Sequence, residues 1–327
     1  MAAKQNQENL PVVLVYRRPQ FNLPHRNRLS RHFILLDPAD SQEPTSSFLS
    51  TYAQSVRALL CVGYSTITSE TLSLLPSLEL IVACSAGVDH IDLQECHRRG
   101  IAITNASVAF AEDVADLAVG LLIDVLRKIS GADRFVRGGL WPVMGDYPLG
   151  SKLGGKRVGI VGFGSIGSEV AKRLVAFGCS IAYNSRRRKP SVPFPYHANV
   201  RGLAADSDIL ILCCALTEET HHMINEGVMT SLGKEGVIIN VGRGSLIDEK
   251  ELVQFLVQGK IGGAGLDVFE NEPDVPKELF SLDNVVLSPH RAVFTPESLE
   301  ALIDLTSANL KAFFSNKPLK SLVEIEL

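Results

Sequence analysis

Apolar and polar positions follow two rhythms along the chain. Apolar runs of four or five residues read as buried strands, and stretches repeating near every 3.6 residues read as helices. In the first hundred residues the runs are 12–16, 58–62, 80–84 and 101–104. Helical spacing predicts 69–75 and 93–99 between them, giving a small α/β unit. Over 111–134 the rhythm becomes that of one long helix, with Val114, Leu117, Ala118, Leu121, Leu122 and Val125 on one face. A glycine-rich stretch follows, from Gly138-Gly139-Leu140-Trp141 to Gly154-Gly155.

A second series begins at Arg157. Its predicted strands are 158–161, 180–183, 209–213, 237–240, 264–268 and 285–287, with helices between most of them. That alternation calls for a doubly wound parallel sheet. A final helix over 296–314 is expected to pack back on the N-terminal unit. The predicted fold class is therefore α/β, with two Rossmann-like doubly wound domains and a cleft between them. A flavodoxin-like substrate domain takes residues 1–104 and is completed by 291–327. A dinucleotide-binding domain takes 105–290. Crossings near 104–107 and 288–292 would join the two, and ligands favour such clefts.

The length of 327 residues suits two domains. With 46% hydrophobic and 21% charged residues and a net charge of −4, the chain lacks the basic balance of a nucleic-acid binder. The six cysteines, Cys61, Cys84, Cys96, Cys179, Cys213 and Cys214, form no C-x-x-C pair and read as buried, reduced thiols. Residues Met1 to Leu10 are polar and lack the apolar stretch of a secretory leader. No apolar run reaches the roughly 18 residues of a membrane span. The ending Val323-Glu324-Ile325-Glu326-Leu327 is not a peroxisomal address. These features predict a cytoplasmic protein with neither membrane nor nucleic-acid partner, and no metal ligand set is expected.

The chemistry starts at Gly162-Phe163-Gly164-Ser165-Ile166-Gly167. The motif G-x-G-x-x-G is weak alone, but here an apolar strand precedes it and a predicted helix over 168–177 follows. Gly162 permits a tight turn, Gly164 lets the backbone approach a pyrophosphate, and Gly167 lets helix and strand pack closely. The helix N-terminus offers amides to the phosphates. At the end of the next strand an NAD enzyme would carry a carboxylate for the ribose hydroxyl. This chain has Tyr183-Asn184-Ser185-Arg186-Arg187-Arg188-Lys189 instead. Ser185, Arg186 and Arg187 suit a 2′-phosphate, which an arginine fork pairs with bidentately. NADPH is therefore the expected cofactor, with NADH the weaker fit.

Three later strand ends carry reactive groups. Arg243 stands between glycines in Asn240-Val241-Gly242-Arg243-Gly244. Glu272 closes Gly265-Leu266-Asp267-Val268-Phe269-Glu270-Asn271-Glu272-Pro273, and His290 follows Ser288-Pro289. Reduction of a keto acid needs a cation for the carboxylate and carbonyl, a proton donor, and a partner that tunes the donor. Arg243, His290 and Glu272 supply those three roles, since a carboxylate beside an imidazole favours its protonated form. The other histidines, such as the pair His221-His222, are expected on the surface.

These motifs, together with Ser85-Ala86-Gly87-Val88-Asp89-His90-Ile91-Asp92, resemble those of the D-isomer-specific 2-hydroxyacid dehydrogenases. Within that family the chain is similar to the plant glyoxylate/hydroxypyruvate and hydroxyphenylpyruvate reductases. The likeness runs from about Ala58 to the C-terminus. It implies that Arg243 binds the substrate carboxylate and carbonyl, that His290 is the acid/base, and that Glu272 hydrogen-bonds it. It further implies that the amides of Ala86 and Gly87 cradle the carboxylate. Asp267 would contact the nicotinamide carboxamide, and Ala215, Val241 and Thr220 would line the cofactor. It also implies a homodimer through the dinucleotide domains. There Trp141 either reaches the neighbour's substrate pocket or only buttresses the interface. The implied substrate is a small 2-keto acid, glyoxylate or hydroxypyruvate, with an aryl-pyruvate as the alternative. A non-catalytic nicotinamide sensor of the same fold is the competing reading, and the complete Arg243, Glu272 and His290 set argues against it. One departure stands out: after the histidine the family usually reads Ile/Val-Gly-Ser/Gly, and here Arg291-Ala292-Val293-Phe294 follows.

Overall fold

A computed structural model describes residues 10–324. The polar start read as leaderless, up to residue 9, and the last three residues of the C-terminal ending lie outside the described residues. The chain divides into two compact units. One is drawn from the chain up to Phe110 and from Thr295 onward, and the other is Ala111–Phe294.

The first unit runs β1 (Val12–Tyr16), α1 (Arg26–Leu29), β2 (Ile34–Leu36), α2 (Thr45–Tyr52), β3 (Ala58–Cys61), α3 (Ser69–Ser73), β4 (Leu80–Ala83), α4 (Leu93–Arg99) and β5 (Ala102–Thr104). The division between the units falls within α5 (Ser107–Arg127). The five strands form one sheet in the order β2-β1-β3-β4-β5, every pair parallel. This is the flavodoxin-like order. Successive strand residues point to opposite faces. Leu14, Leu59, Ile81 and Ile103 therefore fill one core, and Val13, Val15, Leu60, Leu80 and Val82 fill another. The last helix, Pro296–Phe314, closes that second core with Ile303 and Leu310, as expected. Thr295 caps it by accepting from the Ser298 amide at 3.0 Å, with Pro296 in the first turn.

The second unit continues with α6 (Ile129–Arg137), α7 (Trp141–Met144), β6 (Arg157–Val161), α8 (Ser165–Ala176), β7 (Ser180–Asn184), α9 (Val200–Ala205), β8 (Ile209–Leu212), α10 (Glu226–Leu232), β9 (Val237–Asn240), α11 (Glu249–Val257), β10 (Gly263–Leu266) and β11 (Val285–Leu287). Its sheet order is β11-β10-β9-β8-β6-β7, again parallel throughout. The chain reverses direction across the sheet at β6, which lies between β7 and β8. That switch point is where open α/β sheets bind ligands. Register aligns the strand ends: Val161 pairs with Asn184 and Leu212, Leu212 with Asn240, Asn240 with Leu266, and Leu266 with Leu287. Every loop that follows a strand leaves from the same edge. On one face of the sheet, Gly263 and Gly265 make room for Val125 and Leu121 of α5, which a Cβ at either glycine would crowd.

Three expectations are corrected. The long helix predicted over 111–134 is two helices, broken at Lys128, which takes a left-handed φ of 56°. Asp124 stabilises the break by accepting from the Ser130 amide at 2.8 Å and its hydroxyl at 2.5 Å. Apolar residues recur past the break at Ile129, Ala132 and Val136, so periodicity alone reads one helix, although Ile129 and Val136 are exposed. Strand β2 was missed because it has only three residues at a half-exposed sheet edge. The helix predicted over 168–177 starts three residues earlier, at Ser165, inside the glycine loop itself. Among the described residues all six cysteines are free, and no helix is long and apolar enough to cross a membrane.

Candidate active site

The glycine loop joins β6 to α8 at the switch point. Gly162 adopts φ 92°, where side chains are strained, and a Cβ there would collide with the backbone of Cys214 after β8. A Cβ on Gly167 would collide with the Gly162 carbonyl, so helix and loop touch through bare backbone. Gly164 faces open space and is the N-cap of α8 without a side-chain cap. The first-turn amides of Ser165, Ile166 and Gly167 therefore keep the donor capacity that a helix start leaves over. A twelve-residue helix adds its positive dipole end at the same place. This geometry fits a pyrophosphate.

At the end of β7, Ser185 turns the chain by donating its hydroxyl to the Arg187 carbonyl at 2.7 Å. Tyr196 holds the Ser185 carbonyl at 3.2 Å. Arg186 and Arg187 are exposed beyond this turn. Across from them, the turn after β8 is closed by Thr220, whose hydroxyl donates to the Ala215 carbonyl at 2.9 Å and accepts from the Thr217 amide at 2.8 Å. The Glu219 carboxyl there is held below the usual range, first by the Thr217 hydroxyl and to a smaller degree by the charge of Arg186. Arg186 thus lies near this turn, and the β7 end itself carries no acidic residue, which fits a 2′-phosphate.

Arg243 follows β9. Its backbone is fixed by buried Asn240, which donates to the Arg243 carbonyl at 2.8 Å and accepts from the Gly242 amide at 3.1 Å. Val241 beside it is buried. A Cβ on Gly244 would collide with the backbone of Phe269 and Glu270, so the loops after β9 and β10 lie in direct contact. That contact brings the Arg243 charge to bear on Glu272.

His290 and Glu272 meet directly: Nδ1 of the imidazole lies 2.8 Å from Oε2 of the carboxylate. The other oxygen, Oε1, accepts from the Phe269 amide at 3.1 Å. Partial burial pushes the Glu272 carboxyl up. The hydrogen bond and charge of His290, then the Phe269 amide, then Arg243 outweigh that and hold it below the usual carboxylate range. Glu272 is therefore anionic at neutral pH.

Asp267 is 1% exposed. Its carboxylate accepts from the Ser288 hydroxyl at 2.5 Å and from the amides of Arg291 at 2.8 Å and Ala292 at 3.0 Å. Its carbonyl accepts the His290 amide at 2.8 Å. Those bonds hold His290 at φ 52°, an uncommon conformation for a side-chain-bearing residue. The resemblance offers Asp267 to the cofactor. The geometry gives its carboxylate a second task, clamping the turn that carries His290.

In the first unit, the loop after β4 presents Ala86 and Gly87. Asn105 donates to the Ala86 carbonyl at 2.9 Å, and the Ser85 hydroxyl donates to the Gly87 carbonyl at 2.7 Å. The amides of the same two residues have no hydrogen-bond partner among the described residues. That is the arrangement a bound carboxylate would complete. Trp141 is 60% exposed on α7, next to Val143 at 82% and Met144 at 67%.

Sequence reasoning missed Asn240, Ser288, Asn105 and Ser85, which aim the reactive groups without joining them. Asn240, Ser288 and Ser85 stand inside the quoted motifs without an assigned role, and Asn105 left no trace. The His221-His222 pair, expected at the surface, is divided: His221 is exposed, whereas His222 is half-buried because Glu270 binds its Nε2 at 2.7 Å.

Replacing Asp267 by alanine leaves a buried cavity and strands three donors, of which the Ala292 amide is buried and alone costs about 1–3 kcal/mol. Asp267→Ala is expected to lower the unfolding free energy by at least about 2 kcal/mol in urea titrations. A loss below about 1 kcal/mol would contradict the clamp.

Comparison with known proteins identifies the family. Residues 119–292 match the family described as D-isomer specific 2-hydroxyacid dehydrogenase, NAD binding domain. A glyoxylate/hydroxypyruvate reductase of Arabidopsis thaliana is 59% identical over 317 residues, covering 97% of this chain and 98% of that protein. A hydroxyphenylpyruvate reductase of Plectranthus scutellarioides is 47% identical over 85% of this chain and 89% of its own length. The crystal structure of an NADPH-dependent glyoxylate/hydroxypyruvate reductase of Sinorhizobium meliloti, in complex with NADP and malonate, aligns with a TM-score of 0.86 at 38% identity, over 96% of each chain. With this fold and this set of strand-end residues, the chain belongs to the D-isomer specific 2-hydroxyacid dehydrogenase family.

Proposed function

We propose that the protein is an NADPH-dependent reductase that converts a small 2-keto acid, glyoxylate or hydroxypyruvate, to the D-2-hydroxy acid. The observation that carries this reading is the 2.8 Å pair of His290 and Glu272, on the same sheet edge as Arg243 and the glycine loop.

In this reading Gly162, Gly164, Ser165, Ile166 and Gly167 hold the pyrophosphate, while Ser185, Arg186 and Arg187 select the 2′-phosphate. Ala215, Thr220 and Val241 line the cofactor, and Asp267 reaches it only through lone pairs that its three donors leave over. When bound, the dinucleotide supplies the hydride. The amides of Ala86 and Gly87 bind the substrate carboxylate, and Arg243 binds it and polarises the carbonyl. Glu272 fixes the imidazole through Nδ1, which leaves Nε2 as the atom that gives its proton to the carbonyl oxygen. The anionic Glu272 stabilises the charged imidazole before transfer. Without such a donor the nascent alkoxide would form uncompensated.

The six free thiols suit a reducing compartment, so a cytoplasmic location belongs to the same proposal. So does a homodimer through the dinucleotide domain. Its support is the run of exposed apolar side chains Leu140, Trp141, Val143, Met144 and Leu149 within ten residues, the kind of surface that protein interfaces use. Sedimentation velocity is expected to give two chains for the parent and one for Val143→Asp; a monomeric parent would contradict the dimer.

Steady-state oxidation of NADPH and NADH over glyoxylate, hydroxypyruvate, pyruvate and 4-hydroxyphenylpyruvate tests the activity. The expected result is highest kcat/KM for glyoxylate or hydroxypyruvate with NADPH, and a KM for NADPH that Arg186→Ala raises strongly while that for NADH changes little. Preference for 4-hydroxyphenylpyruvate would favour the substrate of the Plectranthus relative. No turnover of any of the four would overturn the reading.

A further inference from the structure

We propose that His221, His222 and Glu270 form a binding site for a divalent transition metal of the zinc class, separate from the residues assigned to reduction. In an extended chain, consecutive side chains point to opposite sides. His222 instead takes a left-handed φ of 50°, so the two imidazoles lie on the same side, stacked with centroids 3.9 Å apart and planes 26° from parallel. Glu270 completes the group, and the ligand atoms of the three residues all lie within 4.8 Å of one another.

The backbone beneath this group is fixed before any ligand arrives. The His221 amide donates to the Thr217 carbonyl at 3.0 Å, the His222 amide to the Ser245 carbonyl at 2.8 Å, and the Ile224 amide to the Leu246 carbonyl at 3.0 Å. On the other side, the Glu270 amide donates to the Glu249 carboxylate at 3.1 Å. Gly244 packs against the Glu270 backbone. Closing the site requires His221 to rotate out of the stack and the His222–Glu270 hydrogen bond to open around the ion.

The donor chemistry selects the metal. Two imidazoles and a carboxylate are the ligands of zinc and its neighbours, whereas calcium and magnesium prefer oxygen alone. Nε2 of His222 lies 2.7 Å from Glu270 Oε1, a hydrogen bond that would open to roughly 3.4 Å to admit a tetrahedral ion at zinc–ligand distances. Its other nitrogen, Nδ1, is 3.6 Å from Asp248 Oδ2. At that distance Asp248 is beyond hydrogen-bond reach and adds negative charge behind the ring without fixing its orientation. The exposed side, next to His221, leaves a position for water. The competing account is a plain His222–Glu270 ion pair on which His221 only stacks, and it predicts no stoichiometric metal.

Calorimetric titration of the untagged full chain with zinc chloride, and cobalt absorbance on the same protein, test the site. One ion per chain is expected, with d–d bands of a nitrogen- and oxygen-ligated cobalt. Affinity should fall at least about tenfold in both His221→Ala and Glu270→Gln. Circular dichroism should show both variants folded like the parent, since His221 is exposed and Glu270→Gln keeps its shape. Zinc should also raise the melting temperature of the parent and not of the variants. Absence of stoichiometric binding in the parent, or undiminished binding in either variant, would overturn the proposal.

Discussion

Parallel strand register is the constraint from which the site follows. Hydrogen bonding in one direction brings the carboxyl ends of all six strands of the second unit to one edge, level to within a residue. The loops that leave this edge carry Gly162, Ser185, Arg243, Glu272 and His290, residues up to 128 positions apart in sequence (162 to 290). None of them needs a dedicated scaffold. Burial of both faces of the sheet secures the register, and small residues allow the loops to touch where Gly244 meets Phe269 and Glu270.

Within that frame a second set of interactions sets the direction of each group. Asn240 fixes the turn at Arg243, and Asp267 fixes the turn at His290. Both are buried polar residues whose hydrogen bonds are satisfied by the backbone they hold, and they persist in the interior for that reason. Glu272 is balanced differently. Burial disfavours its charge, and His290, the Phe269 amide and Arg243 together restore it. An anionic carboxylate against an imidazole is the electrostatic arrangement that a proton donor requires.

Much of this was legible in the sequence because the informative residues act locally. Fully buried parallel strands leave uninterrupted apolar runs, so most strands of the second unit were placed to within a residue or two. The glycine loop and the three strand-end residues stand in motifs whose chemistry is readable from spacing. What escaped depends on partners distant in sequence. Strand β2 exists because β1 pairs with it, and three residues carry no period. The break at Lys128 is set by backbone conformation and by Asp124, while apolar residues recur beyond it at Ile129 and Val136 and hide it from the spacing. The clamp by Asp267 joins positions 21 to 25 residues apart, and no local pattern announces it. The half-burial of His222 likewise follows from Glu270, 48 residues away.

The central claim is that His290 and Glu272 act as one unit in proton delivery. A double-mutant cycle on kcat with NADPH and hydroxypyruvate, using His290→Gln, Glu272→Gln and both together, tests it most directly. His290→Gln is expected to lose roughly 10²–10⁴ in kcat, the scale of a general acid. The double variant is expected to match it within about 0.5 kcal/mol, because Glu272 has nothing left to tune once the imidazole is gone. Losses that multiply would show two independent contributions and contradict the account.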